Sequence, residues 1–475
     1  RLNRPIKLRL DRDDDFMITG RRHGFEFDWA AGFDDAGRIL GVEITLIANA
    51  GFSTDLTPPV MTRAICHIDN AYWLPDVAMH GYSARTNTQS NTAFRGFGGP
   101  QGALAIEFIV DSIARRLGLD ALAVRRANFY GIGERNVTPY GQTVEDNVIE
   151  ALVARLADDA GYAARRAEIE RWNAASPLLK RGIALTPVKF GISFTATHYN
   201  QAGALVHVYQ DGTVLLNHGG TEMGQGLYMK VAQVAANAFQ IDLDKIKITA
   251  TTTAKVPNTS ATAASSGSDL NGMAALNACE QIKTRLVDFA AEHWSVDKDQ
   301  IAFLPNRLRI GNQEIAFADV VKAAYMARVS LSATGFYKTP GIHWDRKKGT
   351  GRPFYYFAYG AACAEVAIDA LTGEYKVARV DIIHDVGHSL NPAIDRGQIE
   401  GGFVQGMGWL TTEELWWDDK GRLRTHAPST YKIPVASDRP TIFNVDLYAD
   451  LNPDAANREP TIHRSKAVGE PPLML

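Results

Sequence analysis

Cysteine is scarce: three in 475 residues, Cys66, Cys279 and Cys363, far apart and never set as a CxxC pair. This argues against a disulfide framework, and equally against an iron–sulfur or structural zinc site within the chain. The expected compartment is a reducing cytoplasm. No apolar run approaches the roughly 20 residues that cross a bilayer, and the first residues do not resemble a signal peptide. Neither charge sign dominates; the net charge of −3 gives no sign of a nucleic-acid or membrane partner. There is no Gly-Lys-Ser/Thr phosphate loop, no GxGxxG after a strand and no Gly-x-Ser-x-Gly elbow. His384 and His388 stand four apart, but Asp385-Val386-Gly387 between them does not read as helix. A shared metal face is not expected there, and both are read as surface or loop histidines.

What is present is ordinary globular material, 45% hydrophobic and 22% charged, enough for a large core. Residues 205–209 and 213–216 read as strands joined by Gln210-Asp211-Gly212, and 365–368 and 376–382 as a second hairpin around residues 369–374. Residues 42–47 read as a strand, and Ile6-Lys7-Leu8-Arg9-Leu10 as a strand already under way. A long helix is predicted over 101–117, with Leu104, Phe108, Ile113 and Leu117 at helical spacing and Gly118 to end it. Another is predicted over 269–293. The polar, proline-containing stretch 171–181 reads as a linker between two multi-element parts, 1–170 and 182–475. The expected class is α+β, mixed sheets with long helices in large elongated domains. The chain opens on Arg1 and stops in an apolar string, Pro471-Pro472-Leu473-Met474-Leu475, so the expectation is an interior piece of a longer polypeptide.

Four small-residue stretches are expected to stand as loops before helices: residues 95–100, 219–226, 258–267 and, more weakly, 401–408. Such loops aim backbone N–H groups and the positive end of a helix dipole at one point, which suits an anionic or phosphate-bearing ligand. Any one of them is explained as well by a simple turn; four together are not. Glu470 follows Gly469, precedes two prolines and sits among Ala467, Val468 and Leu473. A carboxylate held stiffly in apolar company suits general-base work, although a loop glutamate is more often merely solvated.

The stretches Phe94-Arg95-Gly96-Phe97-Gly98-Gly99-Pro100-Gln101 and Gly469-Glu470-Pro471-Pro472 resemble the xanthine dehydrogenase and aldehyde oxidase family of molybdenum hydroxylases. So do Ser90-Asn91-Thr92-Ala93, residues 189–195, residues 389–395 and Ser429-Thr430-Tyr431-Lys432-Ile433-Pro434, so the likeness runs over essentially the whole chain. The resemblance implies a molybdenum–molybdopterin cofactor in its sulfido form, held by the pterin dithiolene with no direct side-chain ligand. By position, Arg95, Gln225, Ala264 and Gln405 match residues that contact or surround it, the metal lying near Arg95 and Ala264. Gly96, Met223 and Gly224 are expected to supply shape and backbone donors.

Glu470 matches the family's catalytic base, acting on water activated at the metal, which accounts for the missing Ser or Cys nucleophile. Arg63 matches an arginine that hydrogen-bonds a purine and stabilises charge building on it; aldehyde oxidases generally carry an uncharged residue there. Phe97 and Phe194 match aromatics that sandwich the flat heterocycle, and Thr195 a neighbour that hydrogen-bonds it. A second active-site glutamate and a glutamine of the family have their places before residue 1. The implied reaction converts hypoxanthine to xanthine and xanthine to urate with water as the oxygen source. The implied partners are two [2Fe–2S] clusters and FAD on another subunit or region, NAD as acceptor, and a second copy of the chain in a dimer. The rivals are an aldehyde or other N-heterocycle hydroxylase of the same family and, from another class, a non-catalytic phosphate-ligand binding module.

Overall fold

The computed structural model describes residues 2–252, 254–255, 259–452 and 454–475. Along β2 (Ile39–Gly51) the side chains alternate, Ile44, Leu46 and Ala48 inward and Glu43 and Ile47 outward, as a strand covered on one face requires. It pairs antiparallel with β1 (Phe25–Phe33) and parallel with β3 (Val77–Arg85). The crossover to β3 contains α2 (Thr57–Ile65). α3 (Gly99–Leu117) starts two residues before the expected helix and ends at Gly118 in the left-handed region. Its buried stripe is Ala105, Ile106, Ile109, Val110 and Ile113 rather than the one expected through Leu104 and Phe108. Phe108 is 47% exposed and instead meets Phe27 and Trp29 edge-on.

The central sheet runs β16-β15-β14-β4, with β4 (Leu179–Ile192), β14 (Tyr356–Asp369), β15 (Tyr375–His384) and β16 (Ile442–Leu447). β14 is antiparallel to both neighbours and buried from Tyr356 to Cys363; β15–β16 is parallel. α4 (Ala121–Asn128) and α5 (Ile149–Asp159) help cover it, and α6 (Tyr162–Ala175) leads into β4. A third sheet, β11-β5-β6-β7, joins β5 (Gln201–Val208), β6 (Val214–His218), β7 (Ile246–Ile248) and β11 (Ser332–Lys338). It packs on α7 (Leu227–Phe239) and α8 (Gly267–Trp294). A small sheet of β8 (Ile301–Leu304), β9 (Arg307–Ile310) and β10 (Gln313–Ala316) lies beside α9 (Phe317–Met326). The remaining elements are α1 (Arg12–Ile18), the ribbon β12 (His343–Asp345) and β13 (Thr350–Arg352), α10 (Pro392–Thr411) and α11 (Tyr448–Leu451). The class is α+β with mixed sheets, and both expected hairpins are present.

Two expectations are corrected. Residues 6–10 form no strand; Ile6 and Leu8 are exposed, because alternation yields a strand only where an edge is there to pair with. Residues 171–181, expected to link the two parts, comprise the end of α6, a three-residue turn holding Pro177, and the start of β4. Trp172 Nε1 donates to Leu179 O, and the Asn173 side chain bonds both N–H and O of Arg181. The stretch 401–408 is no loop before a helix, for it lies inside α10. The larger core also draws on both sides of 171–181, with Ala48, Ile106 and Leu156 before it and Leu185, Tyr359 and Ile383 after it. A second core, wholly from residues 202–333, fills the space between the β5-containing sheet, α7 and α8.

Candidate functional site

Glycine explains how the segments approach. Gly98, the residue before α3, has φ +101, and a Cβ there would lie 2.1 Å from Val60 O. Phe97 also takes the left-handed region, φ 51, a strained setting for an aromatic residue. On α10, a Cβ at Gly406 would sit 2.3 Å from Leu473 O and one at Gly402 2.8 Å from Pro472 Cβ. Gly402 and Gly406 thus leave room for residues 472–473 to cross close against α10.

Glu470, only 8% exposed, stands where these segments meet. One carboxylate oxygen accepts from Gly96 N–H at 3.2 Å and the other from the Ser265 hydroxyl at 2.6 Å. Arg95 Nε donates to Gly469 O. Its Nη1 reaches Gln405 at 3.4 Å, and its Nη2 reaches Gln398 O at 3.1 Å. The first loop, the third loop, α10 and the Glu470 segment therefore converge. Thr221 N–H donating to Thr262 Oγ1 at 2.8 Å ties in the second loop. Ala264 and Ser265 both have positive φ, 56 and 54, which turns the chain sharply into α8. Asn258, the first residue of that stretch as read from sequence, lies outside the described residues.

The second loop departs from expectation. The N–H groups of Gly224, Gly226 and Tyr228 donate to the carboxylate of Glu222, within 2.8–3.0 Å. Those bonds hold the Glu222 pKa below its ordinary value against the opposing effect of burial. Met223 N–H is taken by Gln225 Oε1, and Gln225 Nε2 by Thr221 O. The backbone donors expected of Met223 and Gly224 are engaged inside the loop, so what the loop offers outward is shape: a Cβ at Gly224 would meet nothing within 4 Å.

Arg63 is not on a helix surface; it is 2% exposed. Its guanidinium carbon lies 4.6 Å from the Phe190 ring centre and 5.2 Å from that of Phe354. Nη1 donates to Ser193 O at 2.7 Å and Nη2 to Gly191 O at 2.5 Å, while the buried Nε has no partner. Burial lowers its pKa, opposed first by the charge of Glu470. The carbonyls it grips lead directly to Phe194 and Thr195. Both are half-buried, and Phe194 is pinned by Asn200, which accepts from its N–H at 2.8 Å and donates to its carbonyl at 2.9 Å. Phe97 is half-buried too.

Sequence reasoning missed Ser265, Gln398, Asn200 and Arg22. Ser265 stood unremarked within a stretch already singled out; the other three carry no local signal. Arg22 lies over the rings of Phe94 and Trp409 and donates to Arg95 O at 2.7 Å. Burial pushes its pKa down to about 10. His384, expected at the surface, is wholly buried against Gly360 and brought down to about 4 by burial; His388 is exposed. The thiols of Cys66 and Cys279 are pushed up to about 12, and that of Cys363 to about 11, by burial, so all three are protonated and poor metal ligands near neutral pH.

Among the described residues no three His, Cys, Asp or Glu side chains stand together as a metal-binding group. No helix is long and apolar enough to cross a membrane among them either. The site offers arginine and glutamine donors, left-handed small-residue turns and one fixed carboxylate, a set that fits a large anionic cofactor carrying its own metal ligands.

The sequence family described as "Molybdopterin cofactor-binding domain" matches residues 155–440, and a second family of the same description matches residues 1–129. Over 472 residues the chain is 47% identical to "Xanthine dehydrogenase/oxidase" of Mus musculus, covering 99% of this chain and 33% of that protein. It is 44% identical to a nicotinate hydroxylase of Emericella nidulans, covering 99% and 33%. The chain thus spans about a third of the length of these curated relatives. The crystal structure of quinoline 2-oxidoreductase from Pseudomonas putida 86 shares the fold, with a TM-score of 0.83 at 23% identity over 98% of this chain and 59% of that one. The chain belongs to the molybdopterin cofactor-binding domain family.

Proposed function

We propose that this chain forms the molybdenum-cofactor-binding part of an enzyme that hydroxylates hypoxanthine to xanthine and xanthine to urate. Water supplies the oxygen, and each turnover releases two electrons and two protons. The observation that carries the reading is the fixed Glu470 carboxylate, with the buried Arg63 close enough for their charges to act on one another. Arg95, Gln405, Ala264, Gly96 and Gln225 would hold the cofactor, with Met223 and Gly224 shaping its edge. The cofactor supplies the redox centre that accepts the two electrons. Glu470 takes the proton from the attacking water. It needs no Ser or Cys nucleophile for this.

Arg63 is permanently charged, and each of its terminal nitrogens has an N–H beyond the one spent on a carbonyl. It serves the negative charge that builds on a purine as oxygen is added. Phe97 and Phe194 would hold the flat ring, with Thr195 beside it. The electrons pass to iron–sulfur clusters and FAD on a partner chain or another region, and then to NAD. A cytoplasmic assembly containing two copies of this chain completes the reading.

A second reading, hydroxylation of another N-heterocycle, is favoured by the nicotinate hydroxylase relative at 44% identity. Mixing the purified holoenzyme with xanthine, without oxygen or NAD, tests the choice through bleaching of flavin and iron–sulfur absorbance. Bleaching by xanthine, abolished in Glu470→Gln and slowed by about two orders of magnitude in Arg63→Met, is expected. A spectrum unmoved by xanthine but bleached by nicotinate or an aromatic aldehyde would overturn the purine assignment.

A further inference from the structure

The Glu470 carboxylate is set by more than its own two hydrogen bonds. Tyr356, the first residue of β14, is buried, and its hydroxyl donates to Asp269 Oδ2 at 2.8 Å. The Tyr356 hydroxyl oxygen in turn accepts from Ala467 N–H at 3.0 Å. Asp269 lies in the first turn of α8, four residues after Ser265, whose hydroxyl bonds Glu470. The start of α8 therefore touches residues 466–470 at both ends, directly through Ser265 and through Tyr356 from Asp269.

We infer that Asp269 and Tyr356 form a positioning relay that fixes the Ala467 backbone and through it the direction of Glu470. The proposal rests on Glu470 being the base of the reaction above. A phenol has one hydrogen to give and lone pairs with which to accept. With an acceptor at Asp269 the hydrogen points there, and a lone pair is left facing the Ala467 amide. Without that acceptor the hydrogen is free to swing toward the amide, opposing two donors and releasing the strap.

The other groups acting on Asp269 do not replace Tyr356. Lys230 of α7 acts at longer range and is itself bonded to Asp395, while Tyr337 and Tyr355 are neutral phenols that feel the charge of Asp269 without supplying one. The Ile462 N–H also faces Asp269. Burial raises the Asp269 pKa to about 7 against these partners, the mark of a carboxyl kept dry for its geometry.

The test uses the holoenzyme with its electron carriers and three variants: Tyr356→Phe, Asp269→Leu and Asp269→Asn, the last retaining an acceptor oxygen. Tyr356→Phe and Asp269→Leu are expected to lower kcat by about tenfold while KM stays within about twofold, because Arg63, Phe97 and Phe194 lie off the relay. Asp269→Asn restores most of kcat.

Hydrogen exchange at the Ala467 amide gives a readout independent of turnover: faster in Tyr356→Phe and Asp269→Leu, near wild type in Asp269→Asn. Unchanged kcat and exchange in Tyr356→Phe would overturn the relay, as would Asp269→Asn behaving like Asp269→Leu. If Tyr356→Phe does not fold, the two Asp269 variants decide. If the wild type oxidises a different heterocycle, the purine reading fails and the relay is tested on that substrate.

Discussion

Asp269 and Glu470 are both buried carboxyls, yet their surroundings set them to different tasks. Glu470 has a hydrogen-bond donor at each oxygen, while Asp269 depends chiefly on a single phenol. In the unfolded chain Asp269 ionises near 3.8, and in the fold near 7. Between those values only the folded state holds the proton, so its contribution to stability falls as pH rises from about 4 to 7 and stays low above that. Asp269→Asn removes the penalty. It is expected to raise the thermal midpoint more at pH 8 than at pH 5, and equal increments at the two pH values would show that Asp269 ionises normally. The role of Glu470 could be read from its motif and its rigid flanks. That of Asp269 could not, since its partner Tyr356 lies 87 residues away and nothing local links them.

At the scale of elements, α10 shows how a glycine pattern misleads. Glycine density before a helix and a glycine stripe within one have the same composition. The distinguishing signal is Asn391-Pro392: the Asn391 side chain accepts from Ile394 N–H, and proline takes the first helical position, so the helix has already begun before Gly401 is reached. Gly406→Ala is expected to cost about 1–3 kcal/mol through collision with Leu473, despite a gain in helix propensity of about 1 kcal/mol. It should also slow turnover by moving the strap that follows Glu470. Gly397→Ala and Gly401→Ala, where a Cβ meets nothing within 4 Å, are expected to raise the midpoint slightly. Thermal unfolding of the three variants checks this, and a stabilising Gly406→Ala would refute the close crossing. The hairpins at Asp211-Gly212 and Thr372-Gly373 and helices α3 and α8 were legible because their signals are local. The buried face of α3 was not, because packing on both sides decides which residues are inside.

For the molecule as a whole, burial keeps four histidines neutral. His23, His218 and His384 are lowered to about 4, and His67 well below its ordinary value. Unfolded, each binds a proton near pH 6.5, so stability is lost as pH falls from there toward 4. Asp69, Asp269 and Asp385 are raised and act in the opposite sense, but they are outnumbered by the four buried histidines. The thermal midpoint is expected to drop between pH 7 and pH 5.5; a flat or rising midpoint would contradict the buried, neutral histidines.

The larger core has one more consequence, for the order in which the chain acquires structure. Ile106 and Leu156 find their cover in Leu185, Tyr359 and Ile383, so the amino-terminal third leaves the ribosome well before the strands that complete it. Residues 202–333 depend on no such delay, having a core of their own. During synthesis the middle of the chain closes first, while the earlier segment waits with apolar surface uncovered. Since Gly96 and Glu470 lie far apart along the chain, the hydrogen bond they share is made last.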